Sequence, residues 1–101
     1  MLTINQIPDG DRLTFALEGS LDVNTAPQLE GELRSAVDGI TEMVFDLEKL
    51  EYVSSAGLRV LLAAQKVMNR QGSMTVRNVP KDIMDTFEIT GFDLLLNIEE
   101  S

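Results

Sequence analysis

The fold is decided by residues 41–69, which read TEMVFDLEKLEYVSSAGLRVLLAAQKVMN. Residues 43–47 form an apolar run interrupted only by Asp46, a pattern typical of a central strand that is covered on both faces. A polar turn is predicted next, and residues 52–62 then run into a helix that we expect from about residue 56 to residue 71. We expect Asp46 to anchor a neighbouring loop, with the orientation of a hydroxyl group as the alternative.

The hydroxyl pair Ser54 and Ser55 lies between this strand and the start of the helix. Sites in open α/β sheets are usually built at that carboxyl edge, and a helix start offers unpaired backbone N–H groups to an anion. Serine is also a preferred N-cap residue, so either hydroxyl could simply satisfy a backbone N–H. A phosphate added here would face the positive end of the helix dipole, so the position suits modification without disruption of the fold.

The predicted helix divides into two faces. At about 100° per residue, the core face is formed by Val60, Leu61, Ala64, Val67 and Met68. A separate flank carries Ser55, Leu58, Arg59, Leu62 and Lys66. A neighbouring loop could cover this second apolar stripe, but its position beside a hydroxyl favours contact of Leu58 and Leu62 with a partner protein.

The segments before residue 41 predict a hairpin and a helix. Residues 2–7 and 13–18 alternate as strands do, and the turn residues 8–11 join them. Thr25 and Gln28 have the spacing of a capping box, which would open a helix that Gly39 is placed to end.

Beyond residue 71, the sequence predicts a strand at residues 74–77 and a third helix with Pro80 in its first turn and Gly91 as its cap. Residues 94–98 predict a final strand, and residues 99–101 a solvated tail. Strands that alternate with helices after an initial hairpin indicate the α/β class, with helices packed against a mixed, mainly parallel sheet of about five strands. We expect residues 1–101 to form a single domain.

The composition narrows the possible functions. The chain carries a net charge of −9 from 17 acidic and 8 basic residues, and it contains no His or Cys. The acidic balance argues against a nucleic-acid partner, because phosphate binding relies on clustered Lys and Arg. Without His or Cys there is no Ser-His-Asp triad, no thiolate nucleophile and no imidazole metal ligand, so we expect neither a catalytic residue nor a metal site. Nothing resembles a signal peptide or reaches the ~20 apolar residues of a membrane span, so we expect a cytoplasmic protein without membrane insertion.

Residues 46–60, DLEKLEYVSSAGLRV, resemble the signature of the STAS domain, the fold of the bacterial anti-sigma factor antagonists. Upstream, residues 19–26, GSLDVNTA, resemble the start of that family's first helix. Residues 87–92, FEITGF, resemble the end of its last helix. The three segments agree in order and spacing and cover nearly the whole chain, so the resemblance implies a STAS-like domain.

The resemblance also implies the site. In the family, the serine two residues before the Gly-Leu pair is phosphorylated by a partner kinase, which assigns that role to Ser55. Many members have Asp before that serine and Ser or Thr after it, whereas this chain has Ser54 and Ala56, so Ser54 is the second candidate. The partner surface implied by the resemblance and by the helix flank consists of Asp22, Asn24, Ser54, Leu58, Arg59 and Leu62. Without the resemblance, Asp22 and Asn24 would be expected only to bond the local backbone.

The function implied by the resemblance is that of an anti-sigma factor antagonist, a binding module that is not an enzyme and needs no cofactor. It would dock, unphosphorylated, on an anti-sigma factor that is a serine-protein kinase, and so free a sigma factor. The kinase would use ATP and magnesium to phosphorylate Ser55, and a PP2C-type phosphatase would reverse the modification. We expect a monomer or a weak dimer.

Two alternatives remain open at this point. The chain could be a STAS subunit of a stress-signalling or lipid-transport complex in which the serine is silent. From a different class, it could be a small enzyme or a nucleotide binder that uses the helix start as a phosphate site. The sequence contains neither a GxxxxGK[ST] loop nor a GxGxxG turn, which argues against the latter.

Overall fold

The computed structural model describes residues 1–99 and contains one mixed sheet with helices packed against it. Its elements are β1 (Leu2–Asp9), β2 (Arg12–Leu21), α1 (Ala26–Ala36), β3 (Glu42–Val53), α2 (Ser55–Gln71), β4 (Ser73–Arg77), α3 (Lys81–Thr90) and a short 3-10 helix (Phe92–Leu94). The strand order is β1-β2-β3-β4, with β1 antiparallel to β2 and the other pairs parallel. The predicted α/β class, hairpin and mainly parallel sheet are confirmed, but the sheet has four strands, not five.

The predicted strand at residues 94–98 is wrong. Gly91 adopts a left-handed conformation with φ of 80°, which ends α3 as predicted and turns the chain into the 3-10 helix. Leu94 and Leu95 then point outwards, with 86% and 52% of their surface exposed, whereas Leu96 is buried in the core cluster, so the run lacks the alternation of a strand. A single parallel bridge, between Val76 and Ile98, is all that remains of the expected strand.

That bridge nevertheless fastens the end of the described chain to β4. The backbone N–H of Val76 donates to the carbonyl of Asn97 at 2.9 Å, and the N–H of Glu99 donates to the carbonyl of Val76 at 2.8 Å. From α2, the buried side chain of Gln65 accepts from the backbone N–H of Asn97 at 3.2 Å. The rest of the predicted solvated tail, residues 100 and 101, lies outside the described residues.

The predicted polar turn after residue 47 is also wrong, because β3 continues to Val53. Its second half pairs with β2 through two register shifts, one between Ala16 and Glu18 and one between Gly19 and Ser20. The shifts break the alternation of side chains, as β-bulges do. The charged residues read as a turn are therefore the exposed positions of an irregular strand, and β3 delivers the chain directly to Ser54.

The core lies between the helices and one face of the sheet, where the rings of Phe15 and Phe45 stack with centroids 5.3 Å apart. Four of the five residues predicted for the core face of α2 are buried: Val60, Leu61, Ala64 and Met68. Val67 is the exception, with 41% of its surface exposed. It lines a groove between α1 and α2.

The prediction that Leu58 lies off the core face is wrong, because only 2% of its surface is exposed and it belongs to the core cluster. The end of β2 lies against the first turn of α2 at Gly57, so this turn is covered on a second side. Leu58 is therefore unavailable to a partner in the folded chain. Leu62, one turn further on, is half-buried and lies outside the core cluster.

Candidate functional site

The starts of α1 and α2 meet where β2 ends. The backbone N–H of Ser54 donates to the carbonyl of Leu21 at 2.9 Å. A Cβ atom on Gly57 would lie 2.9 Å from that carbonyl oxygen and 2.6 Å from the Leu21 side chain. Glycine is thus required for the helix to approach β2 this closely, and the approach brings the loop after Leu21 beside the serine pair.

The two serines have different surroundings. Ser54 is the half-buried N-cap of α2, and its hydroxyl accepts from the backbone N–H of Gly57 at 3.4 Å. Ser55 is the first residue of the helix and is exposed. Within residues 1–99, the Ser55 hydroxyl has no hydrogen-bond partner, whereas the backbone N–H, the carbonyl and the hydroxyl of Ser54 are all engaged. Of the pair, Ser55 is therefore the hydroxyl that another protein can reach.

The loop before α1 is held by Thr25. Its hydroxyl accepts from the backbone N–H of Asp22 at 2.8 Å and donates to the carbonyl of Ser20 at 2.9 Å. The predicted capping box is wrong, because Thr25 makes no side-chain cap and Gln28 reaches instead towards the carbonyl of Leu2, at 3.5 Å. The Thr25 hydroxyl therefore holds the loop between β2 and α1 together. The spacing of Thr25 to Gln28 does not indicate this role.

Asp22 completes that loop. Its carboxylate accepts from the backbone N–H groups of Asn24 at 2.9 Å and Thr25 at 3.1 Å. Partial burial acts to raise the pKa of Asp22. The hydrogen bonds from Asn24 and from the backbone and hydroxyl of Thr25, together with the N-terminal charge, outweigh it, so the pKa is lowered from its ordinary value of 3.8. Asp22 is thus ionised at neutral pH and shapes the loop, while Asn24 is exposed beside it.

We use the name Ser55 surface for the exposed and half-buried group formed by Val23, Ser55, Ala56, Arg59 and Leu62. Val23, Ala56 and Arg59 line one groove between the two helix starts, together with Pro27 and Glu30 of α1. Val23 has 69% of its surface exposed, so the loop presents an apolar side chain in the groove that Ala56, the residue after Ser55, also lines. The surface combines a free hydroxyl, a cation and apolar contacts, which is the composition expected of a protein interface.

Val23, a member of the Ser55 surface, was missed by sequence reasoning, and so was the exposed position of Tyr52, which is not a member of that surface. Tyr52 has 54% of its surface exposed at the end of β3, immediately before buried Val53. The register shifts in this half of β3 remove the simple alternation that would have indicated an outward position for Tyr52. For Val23, the only signal is an apolar residue between Asp22 and Asn24, both of which favour loops.

Asp46 lies apart from this surface and acts as an anchor, as expected. Its carboxylate accepts from the backbone N–H of Glu48 at 3.1 Å and from the side-chain amide of Asn78 at 3.2 Å. The Nε atom of Arg77 lies 3.9 Å from it. These contacts join β3 to the residue that follows β4, so the carboxylate holds two strand ends together.

Metal and membrane features can be stated for residues 1–99. In that range, no three acidic side chains are grouped so that they could hold a metal ion. None of the helices formed by the same residues is both long and apolar enough to cross a bilayer.

Comparisons with a family model and with known proteins agree on one family. A family model described as "Mlab, STAS domain" matches residues 7–97. BtrV of Bordetella bronchiseptica, a protein assigned as an anti-sigma factor antagonist, is 42% identical over 93 residues, which cover 90% of this chain and 78% of BtrV.

Solved structures agree on the fold. An anti-sigma factor antagonist from Mycobacterium paratuberculosis superposes with a TM-score of 0.89 at 22% identity, covering 100% of this chain and 87% of the other. The Bacillus cell fate determinant SpoIIAA in its phosphorylated form superposes with a TM-score of 0.74 at 15% identity, covering 100% of this chain and 93% of SpoIIAA.

Proposed function

Because this chain belongs to the STAS domain family, with anti-sigma factor antagonists among its relatives, we propose that it is itself an anti-sigma factor antagonist controlled by phosphorylation of Ser55. In the unphosphorylated state it binds an anti-sigma factor that is a serine-protein kinase, and this binding releases a sigma factor. The kinase supplies ATP and magnesium, and a PP2C-type phosphatase removes the phosphate. The chain acts in the cytoplasm as a binding partner and not as an enzyme.

The observation that carries this proposal is the contrast between the two serines. The Ser54 hydroxyl caps α2, whereas the Ser55 hydroxyl is exposed and unbonded within residues 1–99. A kinase can therefore modify Ser55 without first opening the helix. SpoIIAA, which shares the fold, has been solved in a phosphorylated form, so this type of domain accommodates a phosphate.

Phosphorylation acts on the interface and not on the fold. A phosphate on Ser55 adds about −1.5 to −2 charges at the positive end of the α2 dipole, where the helix tolerates them. A partner packed against Val23 and Leu62 would have to bury that charge. An uncompensated buried charge costs on the order of 3–5 kcal/mol, which corresponds to a loss of affinity of roughly a thousandfold.

The test combines recovery of the partner with its phosphorylation reaction. The tagged full chain and its Ser55→Ala and Ser54→Ala variants are used to recover bound proteins from native cells, and the recovered kinase is then supplied with ATP and magnesium. We expect intact-mass analysis to show one added phosphate on the wild-type chain and on Ser54→Ala, and none on Ser55→Ala. Modification that persists in Ser55→Ala would overturn the assignment of the serine.

A second candidate function has one observation in its favour, which is the description of the matched family model by the name Mlab. In that case the chain is a non-switching STAS subunit of a stress-signalling or lipid-transport complex, and Ser55 is silent. The same recovery experiment separates the two functions. Transporter subunits in place of a serine kinase, with no phosphate on the recovered chain, would favour the second.

A further inference from the structure

Arg59 lies four residues after Ser55 on the exposed side of α2. On the premise of the proposed function, that Ser55 is phosphorylated, we propose that Arg59 binds the phosphate within the same chain. Residues at this spacing are neighbours on a helix, with Cβ atoms about 5–6 Å apart. An anion placed N-terminal to a cation is also the favourable order along a helix.

Arg59 is available for this contact because the acidic side chain in its groove, Glu30, and the one in the loop before α1, Asp22, already have partners of their own. Glu30 lines the same groove as Arg59 but forms an ion pair with Arg34 at 2.9 Å. The carboxylate of Asp22 accepts from the backbone of its own loop. Within residues 1–99, Arg59 itself takes part in no ion pair, although the chain has 17 acidic and only 8 basic residues.

A phosphate on Ser55 would give Arg59 an anionic partner. Arginine binds phosphate through up to two parallel N–H···O bonds, and charge-assisted bonds of this kind are roughly twice as strong as neutral ones. Because Ser55 and Arg59 belong to the same helix, the contact needs no rearrangement of the backbone. It also withdraws Arg59 from any carboxylate that a partner offers, so one modification would both add negative charge to the Ser55 surface and remove its positive charge.

The experiment places phosphoserine at position 55 of the full chain by chemical ligation, which requires no kinase. The second pKa of the phosphate is then measured by ³¹P NMR in the otherwise wild-type chain, in Arg59→Gln and in Arg70→Gln. Arg70 is an exposed arginine of the same helix and the matched control, because it lies roughly 22 Å along the helix axis from Ser55.

We expect the pKa of the phosphate to be about 0.2–0.4 unit higher in Arg59→Gln than in the wild-type chain, since loss of the cation destabilises the dianion. Arg70→Gln should match the wild type, and the difference should shrink at about 1 M salt, where charges are screened over a few ångströms. Glu30 and Asp22 are present in all three chains, so their charges cancel from the comparison.

Equal phosphate pKa values in the wild-type chain and in Arg59→Gln would overturn this inference, and so would an equal rise in Arg70→Gln. Circular dichroism of each variant checks that α2 is intact. The outcome is independent of whether cells phosphorylate Ser55. Failure to recover a kinase would count against the proposed function alone, whereas an unshifted phosphate would count against Arg59 alone.

Discussion

The starts of α1 and α2 lie side by side at one end of the sheet, yet they are built in opposite ways. The loop before α1 is closed by its own side chains, with Thr25 and Asp22 bonded to the local backbone. The start of α2 has one long cap bond of 3.4 Å from Ser54 and leaves Ser55 exposed. The exposed hydroxyl of Ser55 thus lies beside a loop whose polar side chains are already bonded within the loop.

A substitution at Gly57 is the most direct way to disrupt the contact between the starts of α1 and α2. In Gly57→Ala, the new methyl group would overlap the carbonyl oxygen of Leu21, and backbone cannot move aside as a flexible side chain can. We expect the free energy of unfolding to fall by about 3 kcal/mol, the upper range for overpacking. Urea denaturation followed by circular dichroism measures this change.

Gly31 provides the control for that substitution. It lies within α1, and among residues 1–99 a Cβ atom added there would meet nothing within 4 Å. Gly31→Ala should therefore raise the free energy of unfolding by roughly 0.5–1 kcal/mol through helix propensity alone. Equal effects of the two substitutions would show that close packing at Gly57 is not what joins the helix starts.

The closed loop before α1 should respond to Thr25→Val, which keeps the shape of the side chain and removes its hydroxyl. The backbone N–H of Asp22 and the carbonyl of Ser20 would each lose a partner. We expect a loss of about 2 kcal/mol in the free energy of unfolding, since unsatisfied partly buried groups cost about 1–3 kcal/mol. Amide NMR shifts should centre on residues 20–25. A variant as stable as the wild type would mean that water replaces the hydroxyl.

The smallest effects are expected at the serine pair. Ser54→Ala should lower the free energy of unfolding by about 0.5–1 kcal/mol through loss of the N-cap. Ser55→Ala should change it by less than about 0.5 kcal/mol, as is usual for an exposed side chain without partners. Thermal melts of the two variants beside the wild type measure the difference. A larger loss in Ser55→Ala would reverse the roles that the geometry gives to the two hydroxyls.

Local sequence signals predicted the parts of this fold that depend on one segment alone. The strand at residues 43–47, the helix after Ser54 and the cap at Gly91 all follow from apolar periodicity, serine and glycine chemistry. The sequence also limited the N-cap of this helix to two candidates, Ser54 and Ser55. Which serine is the N-cap depends on the backbone geometry of the folded chain, because both serines suit that position and Ser54 fills it.

The errors arose where distant segments decide the outcome. Leu58 is buried because the end of β2 covers the first turn of α2, a contact that a helical projection of one segment does not contain. The charged residues after Leu47 belong to a strand because β2 can pair with them through two register shifts. Residues 94–98 are apolar enough for a strand, but the glycine cap of α3 leads into the 3-10 helix Phe92–Leu94, and the chain then joins β4 through the single bridge at Ile98.

The attachment of residues 97–99 to β4 has a consequence for self-association. A sheet edge with free N–H and C=O groups is a template on which further strands, including those of other copies, can add. At β4 those groups are partly taken by Asn97 and Glu99. In the part of the chain described, β1 is the other edge of the sheet, and Pro8 removes one donor from it. Together with a net charge of −9, which opposes the approach of a second copy, these features disfavour edge-to-edge aggregation at both edges of the sheet.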